Sequence, residues 1–240
     1  MTNLLRKCAV LKDMFEHQRS ISQTGEILPI HSNIPLSYAE ALYTMVCQAK
    51  PLIVVEVGMA FGTSSLAILT ALQECGQGKL ITIDPAQTTD WKGCGKTAIE
   101  RANFSDRHEL IEDYNYNALP RLLSEGLRCG FAYIDGWHTF DYAFLDWWYL
   151  DKMLETNGVV GFNDCGWPAV DKVIRFVSSH RKYKELNAGL TPNFVKSGIK
   201  HELLRRLKNQ SNEQFYCQSQ DRYFRKEANW EPSWDFYSPF

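Results

Sequence analysis

Asp135, His138, Asn163 and Asp164 are the residues of this 240-residue chain whose types and spacing bear most directly on chemistry. The stretch "IDGWHTFDY" sets an imidazole three residues after a carboxylate that closes an apolar run, and the next apolar run closes on Asn163–Asp164. An imidazole titrates near neutral pH, with an ordinary pKa of about 6.5, so His138 is the candidate general base. Asp135, Asn163 and Asp164 offer three oxygen donors, a set that suits Mg²⁺ or another hard divalent ion and leaves positions open. Such an ion stabilises an oxyanion and prepares a hydroxyl for attack. The plainer account is that Asp164 caps the following helix and Asn163 bonds backbone.

Those residues need elements to hold them. Five short apolar runs follow Pro51: 52–57, 79–84, 108–112, 130–135 and 158–163. Helical segments near 64–75, 94–103, 116–126, 140–154 and 168–180 alternate with them. Alternation of this kind implies right-handed crossovers and a parallel sheet, and runs apolar throughout fit a sheet covered on both faces. The expected class is therefore α/β: a Rossmann-like, doubly wound, mostly parallel sheet. "YKELNAG" reads as a sixth strand, residues 197–208 as a basic amphipathic helix, and "EQFYCQSQDRYFRKE" as a half-exposed antiparallel strand. Before the core, 3–17 and 36–49 carry helical spacing, joined by the turn-rich connector "QTGEILPIHSNIP". Three parts are expected: an N-terminal helical cap over 1–50, in which residues 23–35 are a candidate lid; a core over 51–227; and an aromatic tail over 228–240.

In an open parallel sheet, ligands bind beyond the carboxyl ends of the strands. All five runs end in an acid or reach one within a residue: Glu56, Asp84, Asp113, Asp135 and Asn163–Asp164. "EVGMAFG" has the shape of a glycine-rich nucleotide turn, with Gly58 and Gly62 in place and Ala60 at the middle glycine. Gly58 lets the turn close and Gly62 lets the chain approach a ligand, while Thr63, Ser64 and Ser65 can cap the next helix. A carboxylate at Glu56 repels phosphate but suits a cation, and S-adenosylmethionine carries a sulfonium and an ammonium. Asp84 is placed to accept the ribose hydroxyls, and Asp113 to lie near the adenine amino group.

Bulk properties agree with this reading. A net charge of −2 gives no general attraction to nucleic acid or anionic membrane, so neither is expected as a partner. The charged N-terminus lacks a signal-peptide pattern, which points to a cytoplasmic protein. Seven scattered cysteines form no C-x-x-C pair and read as small buried groups. Trp91, Trp137 and Trp167 follow strand ends and are equally good as walls of an acceptor pocket or as packing residues. Trp147 and Trp148 read as core. The aromatic tail "NWEPSWDFYSPF" fits packing on the body or on a second subunit, so a homodimer or larger homo-oligomer is expected.

Over about residues 50–180 the chain resembles the class I S-adenosylmethionine-dependent methyltransferases. The motifs are "VVEVGMAFGTSSL", "ITIDP", "FAYIDGWHTFDYAFLDWWYLDKMLETNGVVGFND" and "SWDFYSPF". Within that superfamily it is similar to the small O-methyltransferases related to macrolide-sugar and cephalosporin-pathway enzymes. The resemblance implies a seven-stranded sheet whose reversed last strand matches 214–226, and methylation of a small-molecule hydroxyl. It also implies a metal site with an acidic pair at its second position, where this chain has Asn163 and so one charge fewer. Rival readings are a nucleic-acid N-methyltransferase, a nicotinamide-dependent oxidoreductase and a non-catalytic relative. "IDGWH" stands where the first would carry Asn/Asp-Pro-Pro-Tyr/Phe; Glu56 and the lack of a Tyr-x-x-x-Lys pair count against the second.

Overall fold

The computed structural model describes residues 2–190 and 221–240. The chain opens with α1 (Asn3–Lys7) and α2 (Ala9–His17). One helix was expected over 3–17, but Cys8 is extended, with φ −125° and ψ 97°, and its Sγ accepts from Leu11 N at 3.4 Å as the cap of α2. The connector then forms an antiparallel hairpin, β1 (Arg19–Ile21) with β2 (Ile27–Pro29), which the turn-rich reading missed. Next come α3 (Leu36–Ala49), β3 (Ile53–Val57), α4 (Thr63–Glu74), β4 (Lys79–Ile83), α5 (Cys94–Arg101) and β5 (His108–Ile111). The second half runs α6 (Asn115–Ser124), β6 (Cys129–Ile134), α7 (Phe140–Met153), β7 (Leu154–Phe162), α8 (Pro168–His180), β8 (Tyr183–Leu186) and β9 (Arg222–Lys226).

Strands β3 to β9 make one seven-stranded sheet in the order β5-β4-β3-β6-β7-β9-β8. β9 alone runs opposite to the other six strands, inserted between β7 and β8. The expected sheet and reversed last strand are both present. The expected 197–208 helix and the first part of the 214–226 strand lie outside the described residues.

Side chains alternate between faces, and each face has its own core. Val54, Leu80, Phe131, Tyr133 and Tyr223 pack toward α1–α5, whereas Val55, Ile81, Ala132, Val160 and Phe224 pack toward α6–α8. That double burial explains why the strands read as unbroken apolar runs. The tail lies partly on α8: Phe236 and Phe240 set their edges against the His180 ring. Among the described residues no helix is long and apolar enough to cross a membrane.

The order fixes where a ligand belongs. After β3 the chain winds outward to β4 and β5, then returns to place β6 on the other side of β3. The β3/β6 boundary is thus the topological switch point, and a crevice opens there beyond the strand ends.

Candidate active site at the switch point

The glycine turn is built into this crevice. Gly58 has φ +90°, and a Cβ there would stand 2.0 Å from Asp135 O, so only glycine lets the β3 and β6 ends meet. Gly62, at φ +86°, serves packing: its Cβ position lies 3.1 Å from Gly95 Cα at the start of α5. Approach of a ligand was the expected reason for Gly62, and close approach of α5 is the one found. Ala60 also takes a left-handed conformation, φ 46°. Gly62 itself is the N-cap of α4, with no side-chain cap bond, so the expected capping by Thr63, Ser64 or Ser65 is corrected. Thr63 and Ser64 are buried in the first turn of α4.

Ser65 has another partner. Its Oγ donates to Glu56 Oε2 at 2.5 Å, and Thr82 Oγ1 donates to the same oxygen at 3.1 Å. Glu56 is fully buried below the turn, and desolvation pushes its carboxyl up to about 7 against the pull of these hydroxyls. Its other oxygen, Oε1, has no hydrogen-bond partner among the described residues.

Asp84 corrects a second expectation. Its carboxylate takes Met59 N at 3.0 Å, Ala60 N at 2.9 Å and Gln87 Nε2 at 3.1 Å on Oδ2, and Ala86 N at 2.8 Å on Oδ1. A carboxylate has about four acceptor positions, so at most one, on Oδ1, remains for a ribose hydroxyl rather than two. Asp84 is the clamp of the glycine turn, assisted by Gln87, which also donates to Ala60 O at 2.8 Å. Gln87 carries no sequence signature. Asp113 Oδ1 accepts from Asn117 Nδ2 at 3.0 Å and Tyr114 N at 2.7 Å, bonds that hold its carboxyl below the usual range.

The second half of the site gathers on the β6 and β7 ends. His138 Nε2 lies 3.2 Å from Asp164 Oδ2 and 3.6 Å from Asp135 Oδ1, and the three groups form a compact cluster of potential ligands. Burial pulls the imidazole pKa down, but the two carboxylates outweigh it and the net shift is upward. Asp135 is raised, chiefly by burial. Asn163 Nδ2 donates to Asp135 Oδ1 at 2.7 Å, so the amide also positions that carboxylate, and His138 comes within reach of the Asp135 and Asp164 oxygens expected to hold an ion. Trp167 stacks on His138 with ring centroids 6.0 Å apart and is half exposed, and Trp137 is more exposed still. Trp91 packs instead with Phe61 and His31 beneath the hairpin, while Trp147 is fully buried core.

The crevice therefore presents carboxylates at successive strand ends beside a turn clamped shut by Asp84. Such a ring repels pyrophosphate and fits a positively charged nucleoside ligand. Comparisons point the same way. A family model described as a methyltransferase domain matches residues 55–165, which span the glycine turn through the β7 rim. Comparison with curated proteins gives no match. Among solved structures, the SAH-bound O-methyltransferase from Bacillus cereus superposes with a TM-score of 0.60 at 16% identity, covering 74% of this chain and 82% of that one. TomG, an O-methyltransferase from Streptomyces achromogenes involved in tomaymycin synthesis and solved with SAM, gives 0.58 at 14% identity over 78% and 82%. The SAH-bound methyltransferase PaMTH1 from Podospora anserina gives 0.61 at 14% identity over 95% and 89%. With the matched domain lying on the crevice, residues 55–165 are similar to a methyltransferase domain, and the chain shares the Rossmann-like fold of these SAM- and SAH-bound methyltransferases.

Proposed function

We propose that the protein methylates a hydroxyl of a small molecule. The observation that carries this reading is the imidazole of His138 held between two carboxylates at the rim of the crevice. Bound S-adenosylmethionine supplies a methyl group activated by its sulfonium. Glu56, Gly58, Ala60, Gly62, Thr63 and Ser64 are the proposed wall for it, with Asp84 Oδ1 toward one ribose hydroxyl, Asp113 Oδ2 toward the adenine amino group and Asp135 toward its charged end. His138 takes the proton of the acceptor hydroxyl, and Asp135 and Asp164 orient the ring and stabilise the imidazolium. Holding the acceptor in line is the main contribution of the protein.

A divalent ion fits the same cluster. Two carboxylate oxygens and an imidazole nitrogen suit Mn²⁺ or a similar ion better than Mg²⁺, which prefers an all-oxygen set. The hairpin supports the lid reading: Gln23 N donates to Lys92 O at 2.9 Å, and His31 packs on Phe61 of the glycine turn. Trp234 and Tyr237, exposed on the tail, support a homo-oligomer, and the proposed setting is cytoplasmic.

Calorimetric titration with S-adenosylhomocysteine, with and without Mg²⁺ or Mn²⁺ and with NADH as control, tests the reading. Micromolar binding of the nucleoside and none of NADH is expected. Binding of NADH alone, or of neither, refutes the cofactor. Binding followed by transfer to amines but not to hydroxyl acceptors refutes O-methylation.

A further inference from the structure

Two of the cysteines depart from the expected buried class. Among the described residues Cys8, Cys94, Cys129 and Cys165 are buried, whereas Cys47 on α3 and Cys75 at the C-cap of α4 are partly exposed. The two stand together. The Cys75 thiol donates to Cys47 O at 3.9 Å, and the two thiols lie within hydrogen-bond reach of each other. Both line a surface cavity of about 540 Å³ with Lys50, Glu74 and Gln77. Their helices bring them there: α3 ends at Ala49 and α4 at Glu74, so each cysteine sits in or just past a last helical turn. With twelve residues, α4 is about 18 Å long, so the pair lies at its end away from the glycine turn.

The neighbouring carboxylate is already engaged. Glu74 accepts from the Tyr43 hydroxyl and is held by Lys7 Nζ at 2.8 Å. Among the described residues no third histidine, cysteine or carboxylate joins the two thiols in a metal-ligand group. That leaves the sulfurs to react with each other. Burial first, then the negative charges of Cys75 and Glu74, push the Cys47 thiol up to about 11. Cys47 is thus held protonated, and Cys75 is the sulfur placed to attack, since the thiolate is the nucleophile.

We propose that Cys47 and Cys75 form a redox-responsive modification site, at which hydrogen peroxide converts the pair into an intramolecular disulfide that staples α3 to the far end of α4. The Cys75 thiolate attacks one peroxide oxygen, the O–O bond breaks, and the second oxygen leaves as hydroxide, which takes up a proton to become water. Cys75 is then a neutral sulfenic acid, so one of the charges that raised Cys47 is gone. The Cys47 sulfur attacks the sulfenic sulfur, the S–O bond breaks, and the hydroxyl leaves with the Cys47 proton as water. The two thiols lose two electrons and the peroxide gains them. The closed loop contains β3, the glycine turn and α4, so the bond restrains the unfolded chain across that whole unit. The pair needs neither acceptor nor cofactor to react.

The test uses the full chain, reduced and then treated with hydrogen peroxide in native buffer, followed by alkylation and peptide mass spectrometry without reductant. A Cys47–Cys75 link, reversed by dithiothreitol, is expected. The linked chain should melt about 4 °C or more above the reduced one and return on reduction. Cys47→Ser removes the resolving sulfur, so dimedone, which traps sulfenic acids, should label Cys75. Cys75→Ser removes the attacking sulfur, and Cys47 should carry at least fivefold less label. Melting of the reduced variants reports whether each is folded, and the wild-type map stands without them. No link, a link from either cysteine to a different one, or oxidation of Cys75 to the sulfinic acid with Cys47 still alkylated overturns the site. Equal labelling of the two variants overturns the roles, and unchanged melting of the linked chain overturns the staple.

Discussion

Replacing Glu56 with Gln should stabilise the protein at alkaline pH. Glu56 is fully buried and its carboxyl is raised from 4.5 to about 7, first by desolvation. The unfolded chain releases this proton near pH 4.5, whereas the folded chain holds it to about pH 7. Between those values the folded state binds more protons than the unfolded state, so stability falls as pH rises and the loss is complete above pH 7. At about 1.36 kcal/mol per pKa unit, the rise corresponds to about 3 kcal/mol. Gln can still accept the Ser65 and Thr82 hydroxyls through its amide oxygen, and it carries no charge to desolvate. Urea unfolding followed by tryptophan fluorescence at pH 5, 6.5 and 8 measures this. Asp146 and Asp221, also buried and raised to about 7 and about 8, tilt both proteins alike and cancel in the difference. Glu56→Gln is expected to gain on wild type as pH increases, by about 1–3 kcal/mol between pH 5 and pH 8. A difference that does not change with pH refutes the reasoning, since the desolvated charge would then not be at Glu56.

Other perturbations probe the supports of the site. Gly58→Ala drives a Cβ into Asp135 O and strains a positive φ, and should cost about 3–5 kcal/mol in denaturant unfolding and abolish S-adenosylhomocysteine binding. Lys226→Met removes a buried ammonium that donates to Asp151 O at 2.5 Å and Leu154 O at 3.2 Å; Arg181 and Tyr183 still pair with Asp151, so a loss of about 1–3 kcal/mol is expected, with cofactor affinity unchanged in calorimetry. Limited proteolysis should cut within 23–35 and slow on addition of S-adenosylhomocysteine, and cleavage indifferent to the ligand would remove the lid role.

The sequence alone determined the sheet, the crevice and the family resemblance, because each rests on local pattern. Strands buried on both faces must be apolar throughout, crossover helices must show their own period, and a turn between adjacent elements must have glycine where φ is positive. The acids at the strand ends were legible for the same reason, since a strand end is a local feature. What those acids do was not. Asp84 reads as a ligand of both ribose hydroxyls until Met59 N, Ala60 N, Ala86 N and Gln87 are seen to take most of its acceptor positions, and the donation of the Asn163 amide to Asp135 is invisible in the sequence. His138 joins Asp135 and Asp164 because the turn after β6 folds the imidazole back toward both carboxylates, a matter of direction that residue spacing does not encode. The hairpin over 19–29 was hidden for a different reason: two strands of three residues are too short to show a period. Asp221 was the least visible of all. Its burial depends on the Tyr133 and Tyr223 hydroxyls donating to it from two different strands, and only the insertion of β9 beside β7 brings the two phenols together.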